Sequence, residues 1–356
     1  MKEQPVKIAV VRFSSMGDIA IAIPVLEQLL EHYPNVQLFI VSKPFFKKLF
    51  APLPRTNVLD IDLKGRHAGV VGLWRLAKML KAENIDYLAD LHDVLRSKIL
   101  RFYLALLKVS HAHIHKGRKE KAALVRRRNK KLKPLQHSSL RYVEVFAELG
   151  FPFPFTFKEK ISRKKLQLSQ QLQRAYPSKN NQKRLGVAPF AAHIAKQYPK
   201  QLTLEVIHCM LKEEKELEVF LFGGGAKEEM QMAEMAKTDP RIHSVAGKYT
   251  FEEELQLISH LDLMLSMDSG NGHLAALYGV PVVTIWLGTH PYAGFAPLAQ
   301  PAHFQISPDL KQFPFLPNSV FGDRPIPEYE AVVNSISPKT IVGLLLKNLR
   351  PLHNDQ

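Results

Sequence analysis

The chain holds one cysteine, Cys209, in 356 residues. A lone thiol excludes an internal disulfide framework and suits a reducing compartment. No apolar run approaches the ~20 residues that a membrane-spanning helix needs. The candidates "LRFYLALLKV" and "VGLLLKNLR" are short and bounded by charge. No signal-peptide core stands ahead of the first patterned segment in "MKEQPVKIAVV", so a cytoplasmic location is expected. Also missing are a GxGxxG turn, which leaves dinucleotide binding unsupported, and a GxSxG elbow of the hydrolase kind. Neither zinc-finger spacing nor an aromatic RNA-binding signature is present, which speaks against a nucleic-acid partner.

What the chain has in excess is positive charge: 49 Lys+Arg against 33 Asp+Glu leave +16. Such a surplus points to a polyanion, whether nucleic acid, membrane surface or phosphorylated substrate. It is concentrated at residues 116–133, "KGRKEKAALVRRRNKKLK", with ten basic residues and one Glu. The plain reading of such a run is a solvated loop. Just before it, His111, His113 and His115 alternate, as ligands on one strand face would. No acid or cysteine completes that set, and no metal is expected.

Short β-branched runs alternate with longer amphipathic ones, the pattern of parallel sheets with crossover helices. Strands are expected at "KIAVVRFSS", "VQLFIVS", "VLDIDL", "IDYLADLH" and "AHIHK", with helices over 19–32, 74–83, 94–108 and 138–149. Prolines 152 and 154 and the polar "PSKNNQK" mark a linker near 151–184. The alternation then resumes with strands at "RLGVAPFA", "LEVFLFGGG", "HSVAG", "LDLMLSMDSG" and "PVVTIWLG". Helices are expected over 203–215, 226–236, 251–260, 273–278 and 338–349, and residues 309–335 read as irregular. The expectation is an α/β protein of two doubly wound, Rossmann-like domains facing across a cleft, over 1–165 and 166–356. The final helix could pack back on the N-terminal domain. Ligands of such sheets bind beyond the carboxyl ends of the strands.

Five strand-to-helix corners carry candidate chemistry. In "SSMGD", Asp18 reads either as an N-cap, with Gly17 giving the turn its geometry, or as a general base at the mouth of the cleft. In "APFAAHIAKQYPK", Lys196 is placed either in a polar loop or to reach a phosphate. "FGGGAKEE" allows close backbone approach, and Glu228 and Glu229 suit a ribose hydroxyl or the helix dipole. "SMDSGNGHLAALYGVP" sets Asp268, Ser269, Gly270, Asn271, Gly272 and His273 at a helix start, where backbone N–H groups hold anions or a cap simply closes the helix. "WLGTHPYAG" would close over that fourth corner.

Taken in order, these corners resemble the bacterial glycosyltransferase family nine, the ADP-heptose:lipopolysaccharide heptosyltransferases. "FSSMGDIAIAIPVLEQL" is similar to the family's opening strand–loop–helix, and "DLMLSMDSGNGHLAALYGVPVVTIW" to its donor-phosphate motif. "DLHDVLRSKIL", "QHSSLRYVEVFAELG" and "ISPKTIVGLL" are weaker echoes. The resemblance implies a glycosyltransferase-B fold and inverting transfer of a heptose from an ADP-sugar to lipopolysaccharide inner core, without a required cofactor. The N-terminal domain would hold the lipid-linked acceptor and the C-terminal domain the nucleotide-sugar. It makes Asp18 the general base, Lys196 the neutraliser of the donor phosphates, and Glu228 or Glu229 the ribose ligand. Asp268, Ser269, Gly270, Asn271, Gly272 and His273 would line the diphosphate cradle. Ser14, Ser15, Met16, Gly17, Arg96, Arg126 and Arg127 would face the anionic acceptor. A monomer, peripheral at the cytoplasmic face of the inner membrane, is expected, with the basic segment on acceptor or membrane. Two departures bear on the donor: Asn271–Gly272 replace the usual Pro or Leu and Met or Ser, and "LGTHP" replaces "GPTDP", with His290 where an acid is usual. The alternatives are another donor or glycan acceptor, or a non-catalytic basic anion-binding protein on the same scaffold.

Overall fold

The computed structural model describes residues 5–156, 163–177, 179 and 181–349. The chain divides into two compact units, the first Met1–Gly117 with Gln136–Thr156, the second Arg118–Leu135 with Phe157–Gln356. Part of the linker expected at 151–184 lies outside the described residues. Among the described residues, no helix is long and apolar enough to cross a membrane.

In the first unit, five parallel strands lie in the order β3-β2-β1-β4-β5. They are β1 (Val6–Val11), β2 (Val36–Ser42), β3 (Thr56–Asp60), β4 (Tyr87–Asp90) and β5 (Ser110–His113). Its helices are α1 (Met16–His32), α2 (Lys47–Phe50), α3 (Gly69–Ala82) and α4 (Leu95–Leu106), and, after the inserted segment, α6 (Ser138–Glu148). Successive strand residues face opposite sides. Ala9, Val11, Phe39 and Val41 thus meet Leu73, Leu76, Leu80, Leu100 and Leu104 of α3 and α4 in one core.

The second unit begins with α5 (Arg118–Val125) and continues after Thr156 with α7 (Gln170–Ala175). Its strands are β6 (Lys183–Ala188), β7 (Leu217–Leu221), β8 (Ile242–Ser244), β9 (Leu263–Met267), β10 (Val282–Ile285) and β11 (Gln305–Ile306). All run parallel in the order β11-β10-β9-β6-β7-β8. The helices between and after them are α8 (Lys200–Glu213), α9 (Ala226–Ala236), α10 (Phe251–Ser259), α11 (Gly270–Leu277), α12 (Tyr329–Asn334) and α13 (Pro338–Leu349). The final helix packs within this unit: Ile341, Val342, Leu345 and Leu349 of α13 share a core with Val206, Ile207 and Met210 of α8.

Two differences from the sequence expectation have clear causes. Helix α1 starts at Met16 rather than 19, because Ser15 is its cap; Asp18 is therefore the third helical residue, not the N-cap. Gly17 is buried in that first turn and makes no special loop. The basic segment is only in part a solvated loop: Arg118–Val125 form α5, whose Leu124 is buried in a cluster with Ala293 and Val320, while Arg126, Arg127, Arg128, Lys131 and Lys133 are exposed outside any helix. Lys130 donates its ammonium to the carbonyls of Pro314, Leu316 and Pro317 at 3.1, 2.8 and 3.1 Å. The short apolar "AALV" inside the charge run is what anchors it.

Candidate active site

At the carboxyl end of β1, Arg12 is buried and Asp18 follows it into the first turn of α1. The Arg12 guanidinium pairs with Asp18 Oδ2 and donates to the Leu91 carbonyl at 2.5 Å. Ser15 gives the same carboxylate oxygen its hydroxyl at 2.8 Å and its backbone N–H at 3.4 Å. The Arg12 cation lies over the fully buried Tyr142 ring, 6.0 Å from its centroid. Burial opposes the Arg12 charge, but Tyr142, Asp18 and Asp90 outweigh it and raise its pKa. Burial, aided by Asp18, likewise raises the Tyr142 phenol. Asp18 keeps 32% of its side chain exposed, so a substrate hydroxyl can reach a carboxylate whose orientation is fixed from behind.

The β4–α4 connection supports this corner. Asp90 is fully buried and accepts the N–H groups of His92 and Asp93, each at 2.9 Å, and Arg101 at 3.0 Å. His92 in turn accepts the Phe13 N–H on Nδ1 at 3.3 Å. Burial first, then Arg12 and Lys116, lower its pKa to about 3, so the ring is neutral. Arg96 is exposed in the first turn of α4. Ser14 and Met16 are half-buried and Ser15 is exposed at the helix cap.

In the second unit, the connections after β6, β9 and β10 converge. Lys196 Nζ lies 2.8 Å from Oδ2 of Asp268, which is 5% exposed in its side chain. Thr289 donates its hydroxyl to the same oxygen at 2.8 Å. A Cβ at Gly322, where φ is +77°, would come within 2.6 Å of Lys196 Cγ, so glycine lets the lysine stem pass. Ser269 caps α11 without a side-chain cap bond; its hydroxyl meets that of Ser266 at 3.1 Å instead. A Cβ at Gly272 would fall 2.9 Å from Ser266 Oγ, which explains why glycine stands there. Asn271 is half-buried and His273 buried on the same helix, whose first-turn N–H groups begin at Gly270.

The remaining candidates fall into separate places. Glu228 accepts the Gly224 N–H and Glu229 the Gly225 N–H, both at 3.1 Å, so the carboxylates fold back over the glycine turn. Burial and then Glu229 raise the pKa of Glu254 to about 7, an acid that sequence reasoning missed. His290 is buried, and burial followed by Lys130 brings its pKa down to about 4. Arg126 and Arg127 are exposed beyond α5, with Arg126 Nε on the Asn129 carbonyl at 2.6 Å. They belong to the second compact unit, although the expected boundary put them in the first. Of the three alternating histidines, only His111 and His113 lie on β5, and His115 meets Glu148 at 3.1 Å. Among the described residues no cluster of three or more metal ligands occurs. Arg12, Tyr142, His92, Thr289 and Glu254 were not foreseen; Arg12 alone left a signal, as a charge directly after the apolar run of the first strand.

Two doubly wound parallel sheets with acid- and glycine-bearing corners at their carboxyl edges define a glycosyltransferase-B fold. The structure is similar to that of glycosyl transferase family 9 from Veillonella parvula, with TM-score 0.72, 16% identity and 98% of each chain covered. It also resembles Escherichia coli ADP-heptose lps heptosyltransferase II, with TM-score 0.68, 17% identity, and 97% of this chain and 98% of that one covered. The profile of glycosyltransferase family 9 (heptosyltransferase) matches residues 73–313, and the chain belongs to that family. Among curated relatives, lipopolysaccharide core heptosyltransferase OpsX of Haemophilus influenzae is 26% identical over 302 residues, spanning 82% of this chain and 83% of that protein. Lipopolysaccharide heptosyltransferase 3 of Escherichia coli is 24% identical over 290 residues, 77% of this chain and 81% of its own length.

Proposed function

We propose that this glycosyltransferase moves a heptose from an ADP-sugar to the inner core of lipopolysaccharide, inverting the anomeric centre. The relatives are named as lipopolysaccharide heptosyltransferases, which supports heptose transfer to lipopolysaccharide, and family membership supports the reaction class. The observation that carries the residue assignment is Asp18, accessible on one side and held on the other by Ser15 and the buried Arg12. In this reading Asp18 takes the proton of the acceptor hydroxyl as its oxygen bonds to the anomeric carbon. The bond from that carbon to the diphosphate breaks in the same step, and its electron pair leaves with ADP. Lys196, steadied by Asp268, and the first N–H groups of α11 would receive the developing negative charge. Glu228 or Glu229 would take the ribose hydroxyls. Arg96, Arg126 and Arg127 would attract the acidic sugars and phosphates of the acceptor. The work would take place at the cytoplasmic face of the inner membrane, with the enzyme bound peripherally.

Thermal unfolding with ADP, UDP, GDP and NAD, followed by transfer of heptose to truncated lipopolysaccharide, tests this. A nucleotide at ~100 times its Kd adds about 2.7 kcal/mol, which a melting curve resolves. Stabilisation by ADP alone, followed by transfer from ADP-heptose, is expected; stabilisation by UDP or GDP alone would move the donor. A different sugar on the same scaffold is the second reading, favoured by the neutral His290 beside the donor corner. A panel of ADP-sugars separates the two.

A further inference from the structure

Large apolar side chains that stand exposed are concentrated on one part of the first unit. Of ten such residues among those described, six lie there: Phe45, Val70, Val71, Leu95, Phe102 and Leu106. Four of the six sit where the chain leaves the carboxyl edge of the sheet. Phe45 follows β2, Val70 and Val71 open α3 after β3, and Leu95 opens α4 after β4. Because the strand order is β3-β2-β1-β4, these connections surround the β1–α1 corner that holds Asp18. Leu95 is 74% exposed and Phe45 56%. Phe102 and Leu106 continue from Leu95 at seven- and eleven-residue spacing, along one face of α4. Trp74 of α3 meets Tyr103 of α4 at 5.1 Å, so the two helices present a joined surface.

The charge around these side chains is predominantly positive. Lys43, Lys47 and Lys48 flank Phe45, Lys64 and Arg66 precede Val70, and Lys98 follows Leu95, all exposed. The exposed acids nearby are engaged. Asp60 lies 3.8 Å from Lys47, and Asp62 accepts the N–H groups of Lys64, Gly65 and Arg66 at 3.0, 2.8 and 3.2 Å. Apolar tips ringed by cations match an anionic bilayer, in which the tips reach the acyl boundary and the cations lie at headgroup depth. A nucleic acid would leave the tips without a partner.

We propose that the carboxyl edge of the first unit is a docking surface for an anionic lipid bilayer, with Phe45, Val71 and Leu95 entering the interface. The proposal rests on the reading of a lipid-linked acceptor, because such docking would bring the Asp18 corner to the plane where that acceptor lies. The full chain is to be sedimented with phosphatidylethanolamine–phosphatidylglycerol vesicles and with pure phosphatidylcholine vesicles. Binding to the anionic vesicles that weakens with salt is expected. The double variants F45S/L95S and K43Q/K48Q, checked for unchanged melting, should each bind roughly tenfold more weakly or worse. F45S/L95S should still transfer heptose to a delipidated, soluble acceptor at the parental rate. Equal binding to both vesicle types, no binding, or variants that bind like the parent would overturn the proposal. Vesicle binding that behaves as expected without heptose transfer from any donor supports the docking surface and sinks the functional reading instead.

Discussion

Both units close a central strand on serine, glycine and an acid before a helix, yet the acid stands on opposite sides of the cap. In the first unit Ser15 is the cap and Asp18 lies inside the helix, three residues on. Arg12, just past its own strand, and Ser15, its own cap, hold one oxygen from behind, and Tyr142 of α6 acts on the same acid from farther along the chain. In the second unit Asp268 precedes the cap Ser269, and its partners, Lys196 and Thr289, arrive from two other connections. The side chain of Asp18 is 32% exposed, and that of Asp268 5%. A carboxylate that substrate can reach is able to accept a proton; one covered by a lysine serves chiefly to aim the lysine. The same kind of corner thus leaves its acid open to solvent in one unit and buries it under a lysine in the other, which under the proposed function suits a base and a cation mount.

Replacing each acid by its amide breaks this comparison most directly. Asp18→Asn should lower turnover by ~10²–10⁴-fold, the usual worth of general-base help, while ADP affinity stays nearly unchanged. Loss of folding with normal turnover in the folded fraction would instead make Asp18 a capping residue. Next in size is the mount. Lys196→Met should weaken ADP binding by roughly 10–100-fold, as expected for one charge-assisted hydrogen bond of ~1.5–3 kcal/mol. Asp268→Asn should follow it in the same direction, since Lys196 then loses its anchor. Titration of ADP by calorimetry decides this, and unchanged affinity in both variants would remove the second corner from the donor site.

A third test sharpens the structural side. Gly272→Ala places a methyl 2.9 Å from Ser266 Oγ and 3.1 Å from its Cβ, so α11 must lift from β9. Such overpacking typically costs about 1–3 kcal/mol. A melting temperature equal to the parent's would show that the helix start yields easily and that glycine stands there for the ligand alone.

The corners themselves were legible because strand-to-helix junctions announce themselves by a change of period, from β-branched runs to amphipathic spacing. Val36–Ser42 and Ala226–Ala236 fall where that change places them, while β1 ends at Val11, short of the expected Ser15. The partners were not legible. Tyr142 and Thr289 reach their acids from 124 and 21 residues away in sequence, through the packing of α6 and the β10 connection. The basic segment was half legible: its exposed residues 126–129 and 131–133 fit the expected loop, while Leu124 and Lys130 are held within the second unit. Charge counts speak to the solvation of a surface, but not to which few residues within it are held.

The smallest expected effect concerns acid. Each corner has a histidine nearby that the fold keeps neutral, His92 with a pKa lowered to about 3 and His290 to about 4. Burial leads in both cases; Arg12 and Lys116 add to it at His92, and Lys130 at His290. For His92 the geometry agrees, since its Nδ1 accepts the Phe13 N–H and protonation there would break that bond. In the unfolded chain the same ring takes a proton near pH 6.5. Between that value and the folded one the unfolded state binds more protons, so stability is fully present above about pH 6.5 and declines as the pH falls. The slope is at most about 1.4 kcal/mol per pH unit for one histidine, and less here because the ring keeps some access to solvent. His92→Gln removes this loss along with the ring's packing. Its deficit in melting temperature against the parent should therefore be larger at about pH 7.5 than at about pH 5. An equal deficit at both would mean that the ring is protonated in the folded protein, and that Arg12 beside Asp18 shares its corner with a second positive charge.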